Sequence, residues 1–275
     1  MAQLKGFPFV EKGHIDEVTI YNRDGKLLLR NRHNNTRRHP RLSELQIRQC
    51  SRFVNNIRLW NAFPPKQRPY FQWRRGCSSC YNTFLTYAMN AHPVYLTKQM
   101  VSMSACVLTD VMVSQGSLME ITVSHDGVAP ITHIRLGGLT IDNSTTVRQL
   151  AKAIVVNNYG YYYGDIVRYY MAEQRLVGTN SLPMVRIYCK EVVLDPWDET
   201  PLHQVVQNSP GFAQRDGRLA ASQEVVGGMA WVHLRHTDNE IQVSTQRLVC
   251  NNDTLMQQYG SEEAFAEACK SYRGN

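Results

Sequence analysis

The sequence predicts an α+β fold, mainly β, in which an N-terminal hairpin and a helical pair precede one or two immunoglobulin-like β-sandwich modules. Three observations support this class. Apolar residues recur at helical spacing between residues 43 and 90, whereas polar and apolar residues alternate with a period of two from about residue 98. Turn residues at 125–127 and 237–239 separate short strand candidates, a pattern typical of sandwiches.

The hairpin is predicted near the start of the chain. Residues 17–21 alternate polar and apolar side chains, and residues 26–30 return after the turn sequence Asn-Arg-Asp-Gly at 22–25. Asp-Gly is the strongest short-range signal for a hairpin turn. Because an isolated hairpin is only marginally stable in water, we expect it to pack against another part of the protein.

Two helices are predicted after a polar connector at residues 31–41. Ser43 can cap the first helix, which ends before Pro64-Pro65, and the second runs from about residue 78 to residue 90. We expect the apolar stripe of the first helix to face the core. That stripe contains Cys50, Phe53, Val54, Ile57 and Trp60. The arginines that fall elsewhere on the helical wheel are Arg48, Arg52 and Arg58.

Strand candidates make up most of the remaining chain. They are interrupted by a predicted helix at 145–155, a long polar loop at 195–216 and a last helix after Ser261. The candidates are 101–113, 118–124, 132–141, 164–175, 184–194, 217–226, 228–236 and 240–248.

These elements divide the sequence into three predicted regions. Residues 1–97 form a basic docking region of hairpin and helices, and residues 98–195 form a β-sandwich module with an inserted helix. Residues 196–275 form a second β module with a C-terminal helix. The strand pattern fits one large sandwich as well as two small ones.

Positive charge is concentrated in one segment. Between Lys26 and Arg75 there are thirteen Lys and Arg residues, eleven of them Arg, and one acid, so the segment carries +12 and the remainder −5. Such a segment is suited to an acidic protein surface or to nucleic acid, and it can also lie free in water. Docking on protein is the favoured prediction. The arginines predicted to make this contact are Arg37, Arg38, Arg41, Arg48, Arg52, Arg58, Arg74 and Arg75.

A tyrosine-rich segment is the second candidate for an interface. Six tyrosines occur in the twelve residues from 159 to 170. Tyrosine is enriched at interfaces because it is large, stiff and amphipathic, although packing within the fold or stacking on a ligand would also use it. The residues predicted for the interface are Tyr161, Tyr162 and Tyr163.

Motifs for catalysis, cofactors and metals are missing from the sequence. The nucleophile-elbow, Walker A, dinucleotide-binding and zinc-protease patterns do not occur. Cys77 and Cys80 have the spacing of a metal or redox pair, but two further ligands at suitable spacing cannot be found. We therefore expect no enzymatic activity, no cofactor and no bound metal. A carbohydrate-binding or carbohydrate-active sandwich is one alternative, which would need two facing carboxylates.

Compartment signals are also weak. No apolar run approaches the length of a membrane span, and the first residues contain no apolar segment of a secretory signal. Seven cysteines, several inside apolar runs, indicate buried thiols in a reducing compartment.

The order of motifs resembles an uncharacterised family from gut bacteria and their phages, with a helical N-terminal part and β-sandwich modules behind it. The matching segments are Tyr21 to Arg32, Tyr81 to Phe84, Val107 to Leu118, Gly164-Asp165 and Val243 to Gln246. This resemblance implies a non-enzymatic, virion-associated role and supplies no catalytic residue.

We therefore expect a structural or assembly protein, a phage virion component at the head–tail junction, in a tail ring or on the capsid exterior. Its partners would be other copies of itself and other virion proteins, and no membrane would be involved. Complementary charge between the basic segment and the rest predicts a cyclic homo-oligomer. The protein would be assembled in the bacterial cytoplasm and reside in the virion. The alternative partner is nucleic acid, bound by residues 26–75.

Overall fold

The computed structural model describes residues 42–73, 78–179, 181–207, 209–238 and 240–273, together with the backbone of four strands in the first 31 residues. Contacts group the chain into two units, Met1–Leu42 and Ser43–Asn275.

The first unit contains a four-stranded antiparallel sheet. Strands β3 and β4 pair with Arg23 opposite Lys26, in the segments where the sequence predicts two strands. The outer strands extend the sheet in the order β1-β4-β3-β2, and the Asp24-Gly25 turn lies outside the described residues. The strands are β1 (Ala2–Gln3), β2 (Gly13–Ile15), β3 (Val18–Arg23) and β4 (Lys26–Asn31).

Seven α-helices are described in the second unit. The first begins with a capping box, in which the Ser43 hydroxyl and the Gln46 side chain each accept a backbone N–H of the other residue. Thr146 and Gln149 form the same box at the fourth helix. The helices are α1 (Glu44–Ala62), α2 (Cys80–Ala88), α3 (Lys98–Ser102), α4 (Val147–Asn157), α5 (Leu202–Val206), α6 (Asp253–Gly260) and α7 (Glu262–Arg273), and a 3₁₀ helix spans Pro65–Gln67.

The strands of this unit are mostly short, but three of them are ten to twelve residues long. They are β5 (Tyr70–Phe71), β6 (Met112–Gln115), β7 (Val123–His125), β8 (Pro130–Arg135), β9 (Ile166–Val177), β10 (Leu182–Val193), β11 (Ala213–Arg215), β12 (Arg218–Ala220), β13 (Gly227–His236), β14 (Ile241–Val243), β15 (Gln246–Arg247) and β16 (Val249–Cys250).

The three long strands form the central sheet, in the order β10-β9-β13-β14, with β16 also paired to β13. A second sheet has the order β11-β12-β8-β7, and a small third sheet has the order β15-β6-β5. The pairs are antiparallel except β5 with β6, which are parallel.

The middle of the central sheet, at β13, is buried on both faces. Residues such as Tyr170 and Val232 point into a core with Leu59 of α1 and Phe84 of α2. The alternate residues, including Trp231, point into a second core that is completed by α4 and by the second sheet. Burial on both faces explains why β13 is apolar almost throughout instead of alternating.

The predicted α+β class is confirmed, whereas the prediction of a mainly β protein is wrong. Strand and helix content are about equal in the described residues. The predicted immunoglobulin-like sandwich is not confirmed, because helices as well as a second sheet cover the central sheet. The predicted boundary between 195 and 196 runs through one sheet, since β9 pairs with β13 along eight residues.

The buried face of α1 differs from the predicted stripe. Phe53 is 42% exposed and Cys50 is also exposed, whereas Trp60 is buried as predicted. Asn55 is buried, because its side-chain amide donates to the Val107 carbonyl and accepts the Val107 N–H, both at 2.9 Å. The helix therefore turns a hydrogen-bonding side chain inward, where apolar periodicity predicts only hydrophobic residues. The buried residues of α1 are Ile47, Ser51, Asn55, Asn56, Leu59 and Trp60.

The predicted strand at 101–113 is the largest error in the strand assignment. Helix α3 occupies its start, and regular strand begins only at Met112. The backbone at Leu108 is buried but is paired by side-chain amides, with its N–H donating to Gln174 Oε1 at 2.7 Å and its carbonyl accepting from Asn252 Nδ2 at 3.0 Å. Side chains thus replace the strand partner that such an apolar run usually requires.

Candidate functional site

A buried ion cluster lies at the start of β9. The Asp165 carboxylate accepts hydrogen bonds from His233 Nε2 at 2.8 Å and from Arg235 Nε and Nη2, each at 2.8 Å. The Tyr162 backbone N–H adds a fourth donor at 2.9 Å. The Asp165 and His233 side chains are only 2% exposed. We call Asp165, His233 and Arg235 the ion cluster.

The protonation of Asp165 follows from these contacts. Burial by itself would raise the pKa of this carboxyl, but the hydrogen bonds from Arg235, His233 and the Tyr162 N–H outweigh it and lower the pKa to about 2. The same hydrogen bond to Asp165 raises the pKa of the Arg235 guanidinium. Asp165 is therefore ionised at neutral pH and paired with a permanent cation.

Aromatic rings pack on both basic side chains of the cluster. The Tyr161 ring stacks on the His233 imidazole with centroids 4.2 Å apart, and Tyr161 is buried. The Arg235 guanidinium lies over the Tyr162 ring, 4.4 Å from its centroid, and donates to the Gly160 carbonyl at 2.7 Å. The segment from 160 to 165 is thus fixed by side-chain contacts although it has no regular structure.

The outer side of this segment presents exposed aromatic rings. Tyr162 is 55% exposed, Tyr163 46% and Trp197 83%. The loop with Trp197 is joined to the tyrosine segment by backbone hydrogen bonds from Gly164 to Leu194 (2.9 Å) and from Leu194 to Asp165 (2.7 Å). We call Tyr162, Tyr163 and Trp197 the aromatic surface. It lies at the end of the central sheet, on a base that the ion cluster holds in place.

This geometry separates the three predicted tyrosines. Tyr162 and Tyr163 are exposed, but Tyr161 does not reach the surface, because its ring packs on His233. Burial also raises the pKa of the Tyr161 hydroxyl well above its ordinary value. Tyr161 supports the segment from inside while its neighbours face outward.

The three predicted arginines of α1 contact other parts of the second unit. Arg48 donates to Glu262 Oε1 at 3.3 Å and lies 4.3 Å from the centroid of the Phe265 ring. Arg52 donates to the Met89 carbonyl at 2.6 Å.

Arg58 donates to the carbonyls of Ala105 (2.9 Å) and Val101. The three side chains therefore tie α1 to its neighbours, and Arg48 remains partly exposed. The remaining predicted arginines lie outside the described residues: Arg37, Arg38, Arg41, Arg74 and Arg75.

Sequence reasoning did not identify the ion cluster or Trp197. Asp165 and Arg235 are 70 residues apart, so spacing along the chain could not join them. One signal was present in the sequence: His233 and Arg235 lie in the second half of the long apolar strand β13, where a buried polar or charged side chain needs a partner.

No group of three or more His, Cys, Asp or Glu side chains that could hold a metal ion is found in the described part of the chain. Cys77 is outside that part, so the prediction for Cys77 and Cys80 stays a prediction. None of the described helices is long and apolar enough to cross a membrane.

Comparison with family models, with curated proteins and with solved structures finds no match.

Proposed function

We propose that this chain is a structural or assembly protein that acts through protein–protein contacts, and that it is a component of a phage virion. The observation that carries the proposal is the aromatic surface, three exposed rings of which Tyr162 packs on Arg235 of the buried ion cluster.

Physical reasons favour a protein partner for this surface. Tyrosine and tryptophan dominate the energetic centres of protein interfaces, because they bury large areas at a small cost in conformational entropy. Tyr162 is already held by the Arg235 guanidinium, and the chain around it by four hydrogen bonds to Asp165. Little further ordering is needed on binding, which leaves more of the contact energy for affinity.

The virion assignment rests on the family resemblance of the sequence and on its charge distribution. The segment from Lys26 to Arg75 carries +12 against −5 for the remainder, so head-to-tail contact between copies is electrostatically favourable. Contacts of this type close into rings when the rotation between copies allows it. We therefore propose a cyclic homo-oligomer that also meets other virion proteins, at the head–tail junction, in a tail ring or on the capsid exterior.

We also propose that the central sheet and the second sheet together represent the predicted immunoglobulin-like module. They contribute Trp231 and Leu219 to one core, as the two facing sheets of a β-sandwich do.

The aromatic surface can be tested by native mass spectrometry and light scattering. We expect the wild-type chain to form a closed oligomer at low salt and the triple variant Tyr162→Ser, Tyr163→Ser, Trp197→Ser to lose it. Tyr188→Ser is a matched control, because Tyr188 is an exposed ring on β10 outside this surface. A strictly monomeric wild-type chain with no partner in its native particle or cell extract would contradict the proposal.

The nucleic-acid alternative is distinguished by a duplex-binding titration. If the basic segment docks on protein, Arg37→Ala, Arg38→Ala and Arg41→Ala should block assembly, and the wild-type chain should bind random duplex weakly at ~150 mM salt. Strong, salt-dependent duplex binding with assembly unaffected by these changes would favour nucleic acid as the partner.

A further inference from the structure

Two arginines face each other on neighbouring strands of the second sheet. Arg135 of β8 and Arg218 of β12 are directly opposite in the antiparallel register, and both are exposed. Like charges in this position repel and destabilise the strand pair. Within the described residues neither guanidinium forms an ion pair, although seven other arginines of the 120–275 region do. A repulsive pair without an internal counter-charge indicates a binding role.

The pair lines an open pocket of about 300 Å³, together with His133, Asn157, Asn158 and Tyr159. This volume is at the lower end of the range for pockets that hold small organic ligands. We call it the basic pocket.

The wall of the basic pocket is held by one side chain. Asn158, which follows the last residue of α4, accepts the Arg135 backbone N–H and donates to the Arg135 carbonyl, both at 2.7 Å. It also donates to the Ile154 carbonyl at 2.8 Å. The amide of Asn158 therefore joins the Arg135 backbone to the end of α4, and the guanidinium of Arg135 remains available for a ligand.

His133 supplies a further donor. Its Nδ1 accepts the Thr122 backbone N–H at 3.0 Å, so a neutral imidazole carries its proton on Nε2. Burial lowers the pKa of His133, and the positive charge of Arg218 lowers it further. The basic pocket thus contains two permanent cations and one neutral N–H donor.

The rim of the pocket is apolar. Tyr159 is 90% exposed, and Met119 lies on the same rim. A free ring beside two guanidinium groups gives a stacking surface for a planar group next to an anion-binding site.

We propose that the basic pocket binds a small phosphate monoester with a planar ring, a ligand of the nucleotide class, with the phosphate between Arg135 and Arg218 and the ring against Tyr159. A phosphate dianion matches the two cations in charge, and its several oxygens can accept from both guanidinium groups at once. A single carboxylate has half that charge and can be satisfied by one arginine.

Arg218 also borders a second cavity that contains two acids, Asp126 and Asp216. Asp126 is already engaged there, since it accepts from Arg215 Nε at 2.7 Å and from the backbone N–H groups of Val128 and Ala129, each at 2.8 Å. Asp126 therefore does not replace the missing counter-charge of Arg218.

The test is calorimetric titration of the full chain with adenosine monophosphate, inorganic phosphate and adenosine. We expect the nucleotide to bind at least about tenfold more tightly than either part, because both halves of the pocket contribute. Arg135→Gln and Arg218→Gln should each weaken nucleotide binding by at least about tenfold, as expected for the loss of a charged hydrogen-bond pair. Tyr159→Ser should weaken nucleotide binding and leave phosphate binding unchanged.

Two controls separate binding from folding. Arg186→Gln removes an exposed arginine from β10, away from the pocket, and should leave nucleotide affinity unchanged. Thermal unfolding should show that Arg135→Gln is no less stable than wild type, because the change removes a repulsion. Wild-type affinity for the nucleotide in the two arginine variants would overturn the proposal, as would tighter arginine-dependent binding of an oligonucleotide or an acidic peptide. This test is independent of the assembly tests, so either proposal can fail alone.

Discussion

The ion cluster allows a quantitative prediction. Replacing Asp165 by Asn keeps the shape of the side chain but removes the negative charge that His233 and Arg235 share. Folding lowers the pKa of Asp165 from 3.8 to about 2. Since one pKa unit corresponds to 1.36 kcal/mol, the ionised carboxylate contributes about 2.5 kcal/mol to the free energy of unfolding at neutral pH.

The sign of the pH dependence follows from the lowered pKa. This contribution is fully present above pH ~4, where the unfolded chain also has an ionised Asp165, and it is lost as the pH falls from about 4 towards 2. The difference in stability between wild type and Asp165→Asn should therefore be largest at neutral pH and shrink below pH ~4.

Urea unfolding followed by circular dichroism at pH ~7 and pH ~3 measures this difference. In a thermal unfolding scan at neutral pH, the melting temperature of Asp165→Asn should lie about 5–10 °C below that of wild type, given the size of the second unit. Asp216→Asn is a matched control, because Asp216 is an exposed turn residue with a left-handed backbone conformation that Asn also tolerates. Equal stability of Asp165→Asn and wild type at pH ~7, or a difference that grows in acid, would refute the reasoning.

Two further predictions concern buried polar groups and thiols. In a urea titration, Asn55→Ala should lower the free energy of unfolding by about 2–4 kcal/mol, because it leaves the buried N–H and C=O of Val107 without partners. The control Asn61→Ala, at an exposed position, should change the free energy of unfolding by less than ~0.5 kcal/mol. In an iodoacetamide time course at pH ~8, the exposed thiol of Cys50 should react readily and the thiol of Cys106 should not, because burial raises the pKa of Cys106 to about 12. Rapid labelling of Cys106 in the native protein would contradict this prediction.

Local signals in the sequence predicted the helix ends well. The predicted start at Ser43 coincides with the observed cap, and the predicted last helix after Ser261 begins at Glu262. Helix α4 begins two residues after its predicted start and ends two residues after its predicted end. These features depend on neighbouring residues, since caps and prolines act within one turn.

Errors occurred where distant residues determine the environment. Helix α6 was not predicted at all, and the predicted loop at 195–216 contains α5 and β11. The apolar run before Met112 was predicted as strand, because periodicity cannot reveal that the side chains of Gln174 and Asn252 take the place of a neighbouring strand.

The sequence by itself determined the α+β class, the capped helices, the long apolar strands and the concentration of charge between Lys26 and Arg75. Each of these depends on residues close together in the chain. The tertiary structure alone decided which tyrosines are exposed, that Asp165 meets His233 and Arg235, and that Arg135 faces Arg218. Those contacts join residues that lie far apart in sequence, and they form only because the sheets bring strands from both halves of the second unit into register.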